Sequence, residues 1–207
     1  MPNLKLPFIA GFYGKARTGK STFAKAVQAQ IRLRGLSVVL APIADEVRRS
    51  LQKQIEAGDS KVLQLIANCG LDSRSINLFD GPKGPEERRL LQLWGKQMRD
   101  SIRRDYWVMS WFWNVLLFDP QPQIVLVPDV RLDVEIDLLR RRFAGKVYRI
   151  TNEPFSGAEV PPDETEDVRP VEGTEPLYIP NRATEPDRFV KRVSEIASDI
   201  IHRWRIA

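Results

Sequence analysis

Residues 14–21 read Gly-Lys-Ala-Arg-Thr-Gly-Lys-Ser, an instance of G-x-x-x-x-G-K-[ST]. The flanks give this octet its meaning. Before it stands the apolar run Phe8–Tyr13 (FIAGFY), which suits a buried strand. After it, Phe23, Val27 and Ile31 recur at helical spacing over residues 21–34, and Gly35 supplies the stop. A glycine-bounded turn between strand and helix aims successive backbone N–H groups inward, forming an anion nest at the positive end of the helix. In such a nest Lys20 adds a point charge between β- and γ-phosphates, and Ser21 offers a hydroxyl to Mg2+. The nucleotide-contacting stretch expected from the motif is Gly14, Lys15, Ala16, Arg17, Thr18, Gly19, Lys20, Ser21 and Thr22. Lys20 is expected to be an exposed loop residue with no packing role.

The rest of the chain alternates in the same way. Apolar runs at 36–41, 124–127, 146–150 and 177–179 predict further strands. Helices are expected over 45–55, 86–102, 106–117 and 134–143, with a short one over 62–67. A final helix is expected to start at Thr184, which has Asp187 at the capping-box spacing and turns Phe189, Val193, Ile196 and Ile200 inward. Continuously apolar strands between helices imply an α/β fold: a parallel sheet of about five strands with helices on both faces. Ligands of such sheets bind outside the carboxyl ends of the strands. We read one domain over 1–207, with a helical substrate-binding insert at about 57–118 and a lid-like loop at about 151–175. The Gly-, Pro- and acid-rich stretches 57–85 and 151–175 are expected to close over a ligand. The segment from Tyr106 to Leu117 is apolar nearly all round and is expected to be deeply buried, with Trp107, Trp111 and Trp113 in the core.

Composition narrows the chemistry. A single cysteine, Cys69, allows neither an intramolecular disulfide nor a Cys-cluster metal site. A single histidine, His202, argues against a Ser-His-Asp triad and leaves no multi-His zinc site. Catalysis would then run on Lys, Arg, Asp, Glu and backbone amides, a set that suits phosphate chemistry. The formal charge of +5 could serve nucleic acid, but the arginines come in short pieces (Arg88-Arg89, Arg103-Arg104, Arg140 to Arg142) rather than in a tail. No aromatic-plus-basic RNA-binding motif accompanies them, so an anionic small substrate is the expected partner. The opening MPNLKLPFIAGFYG does not read as a signal peptide, and the apolar stretch 107–118 is too short to span a bilayer. A cytoplasmic protein is expected, and a homodimer is left open.

The second chemical signal is Ile124-Val125-Leu126-Val127-Pro128-Asp129, an apolar strand ending in an aspartate placed to hold the water shell of Mg2+. Val130 and Arg131 follow, so the water-activating glutamate of many P-loop ATPases is missing. No Asn-Lys-x-Asp guanine-reading motif occurs either. A phosphotransferase wants cations around two anionic substrates rather than a hydrolytic base. Arg17, inside the loop, and Arg131, beside the aspartate, have the positions for that role and join Lys20 as expected catalytic residues.

With these residues in place the chain resembles the bacteriophage-type deoxynucleoside monophosphate kinases. The resemblance is carried by GKARTGKST, Ile43-Ala44-Asp45, the block Arg88 to Gly95 (RRLLQLWG), Tyr106-Trp107-Val108 and Val127 to Arg131 (VPDVR). Asp163 to Glu166 and Ile179-Pro180-Asn181 complete it, in family order along nearly the whole chain. A related pattern occurs in animal phosphomevalonate kinases. The resemblance implies transfer of the γ-phosphoryl group of ATP, with Mg2+, to a (deoxy)nucleoside 5′-monophosphate in a phage-infected host cytoplasm. It implies that Asp45, Arg88, Gln92 and Arg99 bind the monophosphate, that Arg131 clamps a phosphate near the transferring group, and that Ser21 and Asp129 attend the metal. Thr165 and Glu166 would lie in the lid. The chain departs from the family at Ser21, where aspartate is frequent, and at Gly95-Lys96-Gln97, where Gly-Thr-Glu is frequent. The alternatives are a kinase for another small phosphorylated metabolite and a P-loop ATPase acting on nucleic acid.

Overall fold

The computed structural model describes residues 6–79, 83–152 and 171–207. In chain order the elements are β1 (Phe8–Tyr13), α1 (Lys20–Leu33), β2 (Val38–Leu40), α2 (Ala44–Glu56), α3 (Ser60–Asn68), α4 (Pro85–Ser101) and α5 (Tyr106–Leu116). They continue with β3 (Ile124–Val130), α6 (Asp133–Asp137), a π-helical turn (Leu138–Arg142), β4 (Lys146–Ile150), β5 (Glu175–Leu177) and α7 (Pro186–Ile206). The chain divides into two compact units, residues 1–42 with 113–207 and residues 43–112.

The first unit holds the expected α/β architecture. Its five strands form one all-parallel sheet in the order β2-β3-β1-β4-β5. β1 is central and all six of its residues are buried. Its alternate side chains serve opposite faces, as a strand period of two requires. Phe8, Ala10 and Phe12 join Ile124, Leu126, Tyr148 and Ile150 against Phe23, Val27 and Ile31 of α1 and Phe189, Val193 and Ile200 of α7. Phe23 lies edge-on to both Phe12 and Phe189, at 5.9 and 5.8 Å between ring centroids. Each fully buried large side chain here is worth roughly 1.5–3 kcal/mol of removal from water. On the other face Gly11 lies under Val130, Leu139 and Val147, so α6 and its π-helical turn cover that side.

Several bounds differ from the sequence reading: β2 is shorter than 36–41, and the helix expected over 134–143 is α6 followed by the π-helical turn. β3 does not stop at Pro128 but runs to Val130. Gly11 pairs with Val127 and Tyr13 with Val130, so the register slips by one residue where Pro128 has no N–H to give the ladder. β5 covers 175–177 rather than 177–179, because Ile179 is held by a side chain: its N–H donates to Asn152 Oδ1 at 2.7 Å, and Asn152 Nδ2 donates to its carbonyl. α7 begins at Pro186 with Glu185 as its N-cap, and no side-chain capping bond forms, so Thr184 is not the cap. A proline is favoured at the first helical position, where its fixed φ fits and its missing N–H is no loss, and it sets the cap one residue later, at Glu185.

α5 also corrects an expectation. Trp107, Val108, Trp111 and Val115 are buried on one stripe, but Trp113 is 60% and Leu117 78% exposed. At 100° per residue those two fall on the opposite side of the helix. Trp107 and Trp111 are core, and Trp113 is not.

β4 is tied to α7 through the Tyr148 hydroxyl, which donates to Asp199, while Arg203 Nε reaches both Asp199 oxygens at 2.9 Å. Burial, reinforced by the Asp199 carboxylate, pushes the Tyr148 phenol far above its ordinary value. Burial alone would raise Asp199, yet the bonds from Tyr148 and Arg203 hold it below the usual carboxylate range.

One close approach in the sheet bears on stability. A Cβ at Gly145 would stand 2.7 Å from the Leu139 carbonyl and 2.8 Å from that of Ile9, both backbone atoms that no rotamer change can move. Gly145→Ala is therefore expected to lower stability by about 2–3 kcal/mol, or about 5–10 °C in thermal midpoint. A melting curve within a degree of the parent would show that the turn before β4 yields freely.

The second unit is helical. α2 packs against α3 and α4, and Leu51, Val62, Ile66, Leu90 and Trp94 are buried. Asp59 caps α3 by accepting from the N–H groups of Lys61 and Val62 at 2.9 and 3.0 Å. At the start of α4, Glu87 Oε2 accepts from the Gly84 N–H at 2.9 Å, and Pro85 takes the first helical position. Residues 80–82 and 153–170 lie outside the described residues, so the lid reading of 151–175, with Thr165 and Glu166, falls largely outside them too.

Candidate phosphate-binding site

The buried run of β1 delivers the chain to Gly14 at the carboxyl edge of the sheet. Gly14 has φ 151°, and a Cβ there would sit 3.0 Å from the Ile150 Cβ and 3.2 Å from its carbonyl, so the corner admits glycine alone. Arg17 takes the left-handed conformation at φ 61°, which is uncommon for a non-glycine residue and is one of the conformations from which anion nests are built. Thr18 is buried, and its hydroxyl donates to the Lys15 carbonyl at 3.0 Å, bracing the loop from inside. Gly19, at φ 85°, is the N-cap of α1 and contributes no side-chain bond, and no acidic residue stands in the first helical turn. The positive end of α1 thus has no side-chain cap and no opposing carboxylate of its own, the condition for holding an anion.

Lys20 is not the exposed residue expected. It is 6% exposed, and its Nζ donates to the Gly14 carbonyl at 2.6 Å and to that of Lys15. The reason is geometric: the first residue of α1 folds its long side chain back across the loop it closes, where two carbonyls replace water. The ammonium is therefore held by the loop itself. Ser21 and Thr22 are exposed beside it on α1, Lys15 is exposed on the loop, and Ala16 and Arg17 are half-buried.

Asp129 and Arg131 stand at the same edge of the sheet. Because Val130 pairs with Tyr13, Asp129 falls in the slipped part of β3, level with the corner where the loop begins, and it is half-buried. The backbone N–H groups of Arg131 and Leu132 both donate to Glu135 Oε2, at 2.8 and 3.1 Å. Glu135, itself buried, is thus committed to capping α6. The arginine trio of the π-helical turn is engaged in part elsewhere: Arg140 donates to the Glu172 carbonyl and Arg141 pairs with Asp137 at 3.3 Å.

Hard oxygen donors such as the Ser21 hydroxyl and the Asp129 carboxylate suit Mg2+, which keeps several waters and takes its remaining ligands from substrate phosphates. Among the described residues no cluster of three or more His, Cys, Asp or Glu could cage a metal by itself.

The second unit carries the remaining predicted residues. Arg88, Gln92, Gly95 and Arg99 are spaced i, i+4, i+7 and i+11 on α4, one stripe of that helix, and the three polar members are half-buried. Arg88 Nε donates to the Lys83 carbonyl at 3.2 Å. Gly95 lies beside its helix neighbour: a Cβ there would be in ordinary contact with Arg99 Nη1, at 3.4 Å. Its carbonyl accepts from Trp107 Nε1 at 2.9 Å, which anchors the two helices together. Asp45, on α2, is ion-paired with Arg48. Two residues escaped the sequence reading. Glu46 is buried with its carboxylate on Arg49 and within 3.4 Å of the Ser110 hydroxyl. Arg149 is set into β4 at the level of the loop. Neither carries a motif, and only their burial or strand position marks them.

The fold class is plain from these parts. The protein is α/β, with an all-parallel five-stranded sheet flanked by helices, an architecture compatible with that of P-loop kinases. Comparison of the chain with family models and with curated proteins finds no match. Among the described residues, no helix is long and apolar enough to cross a membrane.

Proposed function

We propose that the protein is a kinase that transfers the γ-phosphoryl group of ATP to a nucleoside 5′-monophosphate. The observation that carries the reading is the loop 14–21: a strand-to-helix nest whose helix end has no side-chain cap and whose lysine lies over the loop carbonyls. Such a loop fits a polyphosphate, since the backbone N–H groups orient the chain of phosphates and Lys20 adds charge at its distal end. Bound Mg2+, held by Ser21 and Asp129, would neutralise charge on the β- and γ-phosphates.

The transferring group spreads negative charge over its equatorial oxygens as it passes between donor and acceptor. Fixed cations at that point stabilise the transition state more than the ground state. Lys20, Arg17 and Arg131 are assigned that role. Arg88 and Arg99, on one stripe of α4, are assigned to the acceptor's monophosphate, with Gln92 between them and Asp45 on α2 as further acceptor contacts. The absence of a glutamate beside Asp129 favours transfer over hydrolysis, because nothing at Val130 can activate water.

The test is a panel of ribo- and deoxyribonucleoside monophosphates with ATP and Mg2+, read as diphosphate formed. ATP consumption is expected to require a monophosphate and to ignore DNA. ATP turnover stimulated by DNA alone would assign the protein to the P-loop ATPases instead, and turnover on a phosphorylated non-nucleotide would assign another kinase class.

A further inference from the structure

The polar side chains of β4 are paired with one exception. Lys146 pairs with Glu175, and the Tyr148 hydroxyl donates to Asp199. Arg149 differs: its Nε is shut off from solvent and has no hydrogen-bond partner among the described residues, although the side chain as a whole is only partly buried. A buried donor left without a partner is unfavourable, and more so when it belongs to a charged group. Stability gives no reason to keep an arginine there.

Its place in the sheet supplies one. Arg149 pairs in register with Tyr13, the residue before Gly14, and the next residue of β4, Ile150, is the one on which Gly14 packs. Neighbouring strands lie about 4.8 Å apart, so Arg149 belongs to the edge of the sheet where the loop begins. Paired residues share a face, which puts Tyr13, Val130 and Arg149 side by side, on the face opposite α1 and α7. The slipped register of β3 brings Asp129 to the same level.

We propose that Arg149 is a phosphate-binding residue of the loop site, its guanidinium reaching a phosphate oxygen of the bound nucleotide. The inference rests on the reading of the loop as a triphosphate cradle. A guanidinium offers a planar fork of donors that an anion with several oxygens can satisfy at once. The ligand would complete what the fold leaves unpaired, and its charge would offset the concentration of cations formed by Lys20, Arg17, Arg131 and Arg149 itself.

Arg149→Gln tests this, with inorganic tripolyphosphate and ATP as probes in calorimetry and with thermal melting of the unliganded protein as the second readout. The variant is expected to melt at or near the parent's midpoint, because the donor that is lost, Nε, made no hydrogen bond. Its affinity for both probes is expected to fall about tenfold. Arg149→Lys keeps the charge without the fork and is expected to recover part of the tripolyphosphate affinity. Unchanged affinity in Arg149→Gln, with the parent binding both probes, would overturn the assignment of Arg149 alone. So would a lowered melting point that Arg149→Lys restores without restoring affinity, since that marks a structural arginine. A parent protein that binds neither probe would overturn the reading of the loop as well.

Discussion

Lys20→Ala is expected to reduce phosphoryl transfer by at least about 10²–10³-fold, the loss seen when one preorganised electrostatic stabiliser is removed from an active site. Two effects combine in this variant. The charge assigned to the β- and γ-phosphates disappears, and so do the bonds that Nζ makes to the Gly14 and Lys15 carbonyls. The second effect means that the variant is not silent for stability. Two carbonyls lose a charged donor in a site that is 6% exposed at the lysine, and the loop should loosen. The overall fold should remain, because the strand and helix on either side are held by the core of Phe12, Phe23 and Phe189 rather than by the loop. Circular dichroism of parent strength together with lost turnover is the expected pair of results. Turnover near that of the parent would refute the assignment of the loop.

Arg131→Lys is expected to lower kcat by about tenfold to a thousandfold while changing ATP affinity much less. Geometry rather than charge sets this loss, since lysine keeps the charge but cannot present two parallel donors to phosphate oxygens. The competing explanation is a helix-surface pair between Arg131 and Glu135, worth roughly 0.5 kcal/mol. Glu135 also has a backbone role in the structure. One of its oxygens accepts from the backbone N–H groups of residues 131 and 132, bonds that any side chain at 131 would leave intact. Glu135→Gln should therefore shift the melting point through the start of α6 and leave kcat near the parent's. If Arg131→Lys instead keeps kcat and moves only the melting point, the residue belongs to the helix and not to the reaction.

How much of this was legible in the sequence depends on how local the cause is. The β1–loop–α1 unit is written in contiguous residues: an apolar run, two glycines at fixed spacing, then a helical period that begins with Phe23 and ends at Ile31. The parallel sheet follows from apolar runs too short for helices and separated by them. The misread features depend on competition or on distance. Thr184 and Pro186 both signal a helix start, and the proline's fixed φ prevails. Pro128 looks like a strand terminator until its partner β1 shows that a register slip can absorb it. The burial of Lys20 arises from a side chain folding back over carbonyls five and six residues earlier, which no periodicity records. The tie between α4 and α5 is equally non-local: Trp107 Nε1 donates to the Gly95 carbonyl twelve residues earlier. Arg149 was invisible for a related reason: a charged residue in a short strand means little until the neighbouring strand is known.

The slip in β3 has a consequence for what the gene can tolerate. Between Gly11 and Tyr13 the central strand advances two residues, while β3 advances three, from Val127 to Val130. The additional residue releases Asp129 from alternation, so that Val130 and not the carboxylate fills the fully buried place opposite Tyr13. Delete Pro128 and regular pairing would keep Val130 opposite Tyr13 but set Asp129 opposite Phe12, forcing a charge among Phe12, Phe23 and Tyr148. Insert one and Arg131 loses its phase with the start of α6. Substitutions along this stretch can be graded and survivable, but a change of length is all-or-none. The five residues 127–131 are a length-critical tract, in which the reading of a single codon more or fewer decides whether the acid stays half-buried at the edge of the sheet or enters the core.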